Sequence, residues 1–164
     1  MDAHYFHDLY CYTFWADRRV WGCVAQLSDD QFTTELDYSI GALRTQCIHT
    51  MGVESWWITF LATGELHFLD MDDYPDRASI RARWDEIEQF VLGYIDSLTP
   101  AELERDVHPE FWEDEPPIKL WQALIQVANH STDHRAQILA GIHRLGGETA
   151  GQDYLDYLGE QVGR

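Results

Sequence analysis

The sequence predicts an all-α protein, a four-helix bundle followed by a short C-terminal helix. Three observations predict it. Four long stretches repeat their apolar residues at the helical period of about 3.6. Breakers separate those stretches. No stretch alternates apolar and polar residues as a half-buried strand would. The first runs from about Ala3 to Leu27, with Phe6, Leu9, Thr13, Val20, Val24 and Leu27 on one stripe. Ser28-Asp29-Asp30 ends it, and a polar segment, Gln31 to Ser39, follows. The second runs from about Ile40 to Ala62, with Ala42, Gln46, His49, Val53, Trp56 and Phe60 sharing a face. Gly64 is placed to stop it, because glycine accepts the left-handed conformation common just past a helix end. Leu66 to Asp76 is acidic, ends near Pro75 and reads as loop.

The third stretch starts near Ser79, a suitable N-cap, and its stripe is Ile80, Trp84, Ile87, Val91, Tyr94 and Leu98. Thr99-Pro100 stops it. Ala101 to Asp106 reads as a short helical turn and His108 to Pro117 as loop. The fourth runs from about Pro117, placed in its first turn, to Leu145. Leu120, Leu124, Val127, Ser131, His134, Ile138 and Leu145 lie on one side, and Gly146-Gly147 closes it. A weak helix, Asp153 to Glu160, follows. With no repeat and no dividing linker, residues 1–164 read as a single domain. Four amphipathic helices of this length pack about a common core, in an order the long connections leave open.

Composition narrows the partners. The 29 acidic and 11 basic residues give a net charge of −18. That sign opposes nucleic-acid binding, which needs cations against phosphate. No apolar run approaches the ~18 residues of a membrane span. Three cysteines, Cys11, Cys23 and Cys47, form no CxxC, and the first residues lack the pattern of a secretory signal. The expectation is a cytoplasmic protein acting on a small molecule, with neither nucleic acid nor membrane as partner.

The histidines carry the functional signal. His130 and His134 are four residues apart and project from one face of the fourth helix. Measured from Val127, His134 lies about 20° and His130 about 60° around the helix. His49 sits on the stripe of the second helix. Three imidazoles from two helices then meet in the bundle. Burying such polar groups without partners costs on the order of 1–3 kcal/mol each. A divalent cation would satisfy them by accepting nitrogen lone pairs, leaving a coordination position open as catalytic sites do. The competing reading is a set of hydrogen-bonded core histidines. Eight histidines in this chain give about 0.4 chance pairs at this spacing, so the pair alone decides nothing.

A resemblance adds to this. The fourth helix reads Asn129-His130-Ser131-Thr132-Asp133-His134-Arg135-Ala136-Gln137. It resembles the signature of the DinB family (DinB/YfiT-like), an Asn-His-x3-His-Arg-Gly-Gln run. Phe14-Trp15-Ala16-Asp17-Arg18 is similar to the family's Trp-Ala-Asn region. The segment from Cys47 through His49 and Glu54 to Trp56-Trp57 resembles its single-histidine helix. Asp73-Tyr74-Pro75-Asp76, leading into Ile80 to Trp84, also fits, so the resemblance spans nearly the whole chain in order. It implies an up-down-down-up bundle, commonly a homodimer. It also implies a divalent metal, most often zinc or nickel, on His49, His130 and His134. Some relatives are transferases that activate a low-molecular-weight thiol as co-substrate, and one branch was described as metal-dependent hydrolases. Ala136 stands where glycine is usual and bears on helix packing; Asp17 stands where asparagine is frequent.

Asp17 is the candidate catalytic residue, placed to hydrogen-bond a metal-bound water or a ligand imidazole. Glu54 is the alternative base, but it lies about 140° around the helix from His49 and ranks lower. Asn129 and Gln137 flank the ligands as candidate orienting groups. Cys47 faces away from His49 and reads as a small core residue. The functional expectation is a metal-dependent thiol S-transferase. A metal-dependent hydrolase at the same site and a non-catalytic metal-binding stress protein are the alternatives. The scarcity of arginine in so acidic a chain weighs against holding an acidic thiol.

Overall fold

The computed structural model describes residues 2–163. Helix α1 spans Ala3–Val24, and its free N-terminal amides are met by Asp2, whose side chain accepts from the Tyr5 N–H. Helix α3 spans Leu43–Thr63 and stops at Gly64, which takes φ 79°. Helix α4 spans Arg77–Asp96, α6 spans Leu120–Arg144, and α7 spans Tyr154–Gln161. Two shorter helices lie between: α2, Asp29–Thr33, and α5, Pro100–Leu103.

Side-chain contacts fix the direction of each rod. Tyr10 donates to the Leu124 carbonyl and Asp17 pairs with Arg135, so α1 and α6 run parallel. His7 meets Asp96 and Arg18 meets Glu88, so α1 and α4 are antiparallel. Trp84 donates to Glu54 and Tyr94 to the Leu61 carbonyl, so α3 and α4 are parallel. Ser131 donates to Glu54, while Gly141 abuts Leu43, so α3 opposes α6. The result is up-down-down-up. Only the α3–α4 connection must return along the bundle. Helix α3 is about 30 Å long at 1.5 Å per residue, and residues 64–76, largely extended, cover that span.

The core is the inward face of these four helices. Phe6, Tyr10, Phe14, Met51, Ile58, Trp84 and Ile95 are among its fully buried side chains. Each apolar one removed from water contributes roughly 1.5–3 kcal/mol.

Several boundaries differ from the sequence reading. Ser28 does not simply end α1: with Gln31 it forms a capping box that starts α2 and buries Phe32. Ser79 is not the cap of α4 but the third helical residue; Asp76 caps, with Ser79 reaching back to its amide. Pro117 lies outside α6. Residues Ile118–Lys119 instead pair antiparallel with Asp106–Val107 as strands β2 and β1. A two-residue ladder is too short to leave an alternating pattern. Ala136 is exposed, so the missing glycine there costs no packing. The close approach between α3 and α6 occurs at Gly141, where a Cβ would meet Leu43 Cδ2 at 2.7 Å.

Candidate metal centre

His130 and His134 project from α6 toward α3, one helical turn apart, and the antiparallel α3 brings His49 against them. The His49 and His130 Nε2 atoms are 3.2 Å apart. Ring centroids lie 5.2 Å (His49–His130), 4.6 Å (His49–His134) and 4.3 Å (His130–His134) from one another. One donor nitrogen from each ring falls within 4.8 Å of the other two. A tetrahedral zinc with nitrogen ligands at about 2.05 Å has ligand–ligand edges of about 3.3 Å. The 3.2 Å pair already matches such an edge.

The site sits at the edge of the bundle rather than in its middle. His134 is buried, His130 half-buried, and His49 the most open of the three. The reason lies in α3. Its core face is Leu43, Cys47, Met51, Glu54 and Ile58, not the stripe through His49 and Val53. One side of the cluster is therefore left for a small molecule.

The donor set suits a cation. Burial pushes all three imidazoles below the ordinary histidine range, and neighbouring imidazoles push His49 and His130 further, His130 to about 4. They are neutral at pH 7, with lone pairs available. The buried Nδ1 atoms of His130 and His134 have no hydrogen-bond partner, and the Nε2 atoms of His49 and His130 face each other at 3.2 Å. The three histidines fit a divalent ion.

Beneath the imidazoles lies a buried polar layer. Glu54 is fully buried; its Oε1 accepts from Ser131 Oγ at 2.6 Å and its Oε2 from Trp84 Nε1 at 2.8 Å. Burial and the nearby Asp17 push its carboxyl up to about 8. Asp17 and Arg135 form an ion pair at 3.1 Å with side chains 1% and 0% exposed. Burial raises the Asp17 pKa, and the Arg135 charge only partly offsets it. Arg135 also donates to Gln152 and Thr132, which locks α6 beside His134. Sequence reasoning ranked Glu54 low because it placed the core face of α3 around His49. The signal was present in the Glu54-to-Ile58 and Glu54-to-Leu61 spacings, which put the carboxylate on an apolar face.

The structure thus gathers His49, His130 and His134. The Asp17 carboxylate is engaged with Arg135, and the Gln137 amide with Asp133 (2.8 Å) and Ser39. Asn129 is exposed. Cys47 is buried, with its thiol pushed up to about 12, which suits an inert core residue. At the other end of α1, His7 lies between Asp96 (2.6 Å) and the Cys11 sulfur (3.3 Å). Burial, then Asp8 and Asp96, raise that thiol too, so it stays protonated. Against His49 opens a cavity of about 460 Å³, walled by Ile40, Val53, Trp56, Phe68 and Met71 and by no charged side chain.

Four long helices form a bundle whose three converging histidines could hold a metal ion. The DinB family model matches residues 1–162, and the chain belongs to the DinB family. A crystal structure of a DinB-like protein from Bacillus cereus shares the fold: TM-score 0.61, 17% identity, 83% of this chain and 89% of that one. No curated protein matches. No helix among the described residues is long and apolar enough to cross a membrane.

Proposed function

We propose that this chain is a metal-dependent enzyme. His49, His130 and His134 would hold a divalent ion, zinc or nickel, and the reaction joins the sulfur of a low-molecular-weight thiol, which gives up its proton, to an electrophilic carbon, whose leaving group or opened ring oxygen takes the displaced electron pair. One observation carries the reading: three neutral imidazoles from two helices converge at the rim of the core, beside an open cavity. Bound there, the ion supplies Lewis acidity, which lowers the pKa of a nucleophile brought to it. The residues of the chain do the rest. The Glu54–Ser131 bond and the Asp17–Arg135 pair hold the α6 turn that carries His130 and His134. The apolar wall of the cavity keeps bulk water from one side of the electrophile. A homodimer in a reducing cytoplasm belongs to the same reading; the three free cysteines suit it.

Hydrolysis at the same site is the second reading. It is favoured by one observation: no arginine or lysine lines the cavity to anchor an acidic thiol. Loading the protein with zinc or nickel and following thiol consumption against a panel of electrophiles, beside ester and amide hydrolysis, separates the two. His134→Ala is expected to lower metal content and turnover together. Unchanged metal stoichiometry would remove His134 from the coordination set. Full metal occupancy with neither reaction detected would favour a non-catalytic metal-binding role.

A further inference from the structure

The topology builds a second feature beside the imidazoles. Because α3 and α4 run parallel, residues 64–76 return along the outer side of α3. Although acidic at Asp70, Asp72 and Asp73, this segment lays Phe68, Leu69 and Met71 against the helix. Arg44 fixes it there: its guanidinium donates to the carbonyls of Met71 (2.8 Å) and Tyr74 (2.8 and 3.2 Å). Trp56 forms the floor, with Phe68 at 5.7 Å and Phe111 at 5.8 Å between ring centroids.

Three side chains along this groove stay in water at a cost: Phe68 is 60% exposed, Ile40 42% and Met71 37%. Contiguous exposed apolar surface of this kind marks a binding surface. The groove ends on His49, and its volume of about 460 Å³ lies within the range of small-molecule sites, roughly 300–1,000 Å³. No cation lines it, and the net charge of −18 repels anions from its approaches.

We propose that this groove holds the uncharged apolar portion, alkyl or aryl, of the substrate, with the reactive group directed at His49. What is done to that substrate rests on the three-histidine reading; what the groove accepts does not. Arg44 is a positioning residue that shapes the wall. Gly52 is the gate to the test. It lines the groove in the middle of α3, and a Cβ built on it meets nothing within 4 Å, so a side chain added there starts into open space on the groove side.

The test uses two fluorescent probes that share one ring system. N-phenyl-1-naphthylamine is neutral; 8-anilino-1-naphthalenesulfonate carries a charge. Both are titrated into metal-free and metal-loaded protein, wild type and Gly52→Leu, with metal content and oligomeric mass measured on each sample. The neutral probe is expected to bind at least tenfold more tightly than the sulfonate in both metal states. Gly52→Leu is expected to weaken it at least tenfold, with metal stoichiometry, oligomeric mass and melting temperature maintained. Equal or tighter binding of the sulfonate overturns the proposal, as does a Gly52→Leu protein that binds as wild type. Loss of a dimer in Gly52→Leu overturns it too, by assigning the groove to a second copy of the chain. Probe discrimination in a protein that binds no zinc or nickel upholds the groove and refutes the metal reading. Metal binding without discrimination does the reverse.

Discussion

Glu54 makes the stability of this protein depend on pH in an unusual direction. Its carboxyl is pushed from the ordinary 4.5 to about 8, first by burial and then by Asp17. A raised pKa means that the folded state holds the proton more tightly than the unfolded chain does. The stabilisation is therefore fully present below about pH 4.5 and is lost as pH rises through about 8. At about 1.4 kcal/mol per unit, the loss is roughly 3–5 kcal/mol, a large share of a typical domain's stability. The hydrogen bonds accommodate the proton. Protonated Glu54 donates to Ser131 Oγ, which turns its own hydrogen to the Val127 carbonyl at 3.1 Å. Glu54→Gln mimics that state: its amide nitrogen donates to Ser131, and its oxygen accepts from Trp84. Urea unfolding of metal-free wild type and variant from pH 5 to 9 is the assay. The variant is expected to match wild type near pH 5 and exceed it by about 3 kcal/mol or more at pH 9. An offset independent of pH, or a wild type that gains on the variant as pH rises, would refute the reasoning.

Three further outcomes follow from the same contacts. Asp17→Ala strands the Arg135 charge in the core and is expected to cost about 3–5 kcal/mol in denaturant unfolding, with Asp17→Leu/Arg135→Met costing less; equal costs would deny the pair. Gly52→Ala is expected to stabilise by about 0.5–1 kcal/mol through helix propensity. Gly141→Ala is expected to forfeit that gain, because its Cβ would sit 2.7 Å from Leu43 Cδ2; equal melting temperatures for the two would contradict the close approach of α3 and α6. Acidification should release the metal, since all three imidazoles must be unprotonated to bind it. Burial lowers all three imidazoles, His130 to about 4, so the ion is expected to stay at pH 7 and to leave as pH falls through that lowered range rather than at the ordinary histidine value. An ion retained at about pH 2, where every imidazole is protonated, would count against a histidine-only site.

The four rods were legible because their stripes are long and their stops are chemical. Gly64 and Gly146 adopt the left-handed conformation that ends α3 and α6. The histidine cluster was legible from the four-residue spacing of His130 and His134 and from the place of His49 on the second helix's stripe, and the family resemblance added to both. Helix α3 was harder. Its apolar residues surround it, so the period does not single out a face. Trp56 and Phe60 on the outer side compete with Met51 and Ile58 on the inner. That ambiguity set His49 in the core and left Glu54 outside it, the reverse of what the structure has. The β1–β2 pair and the caps at Ser28 and Asp76 were hidden for another reason. Each involves two to four residues, too few for a period, and the two caps also depend on which of several adjacent polar side chains reaches an amide. The groove was invisible to local pattern because it arises from chain direction: parallel α3 and α4 force residues 64–76 back across the outer face.

The most direct test of the metal centre is elemental analysis after equilibrium dialysis against zinc and, separately, nickel, for wild type beside His49→Ala. The wild type is expected to hold close to one ion per chain and the variant little. A wild type that binds neither ion, or a variant that binds as much as wild type, would contradict the account.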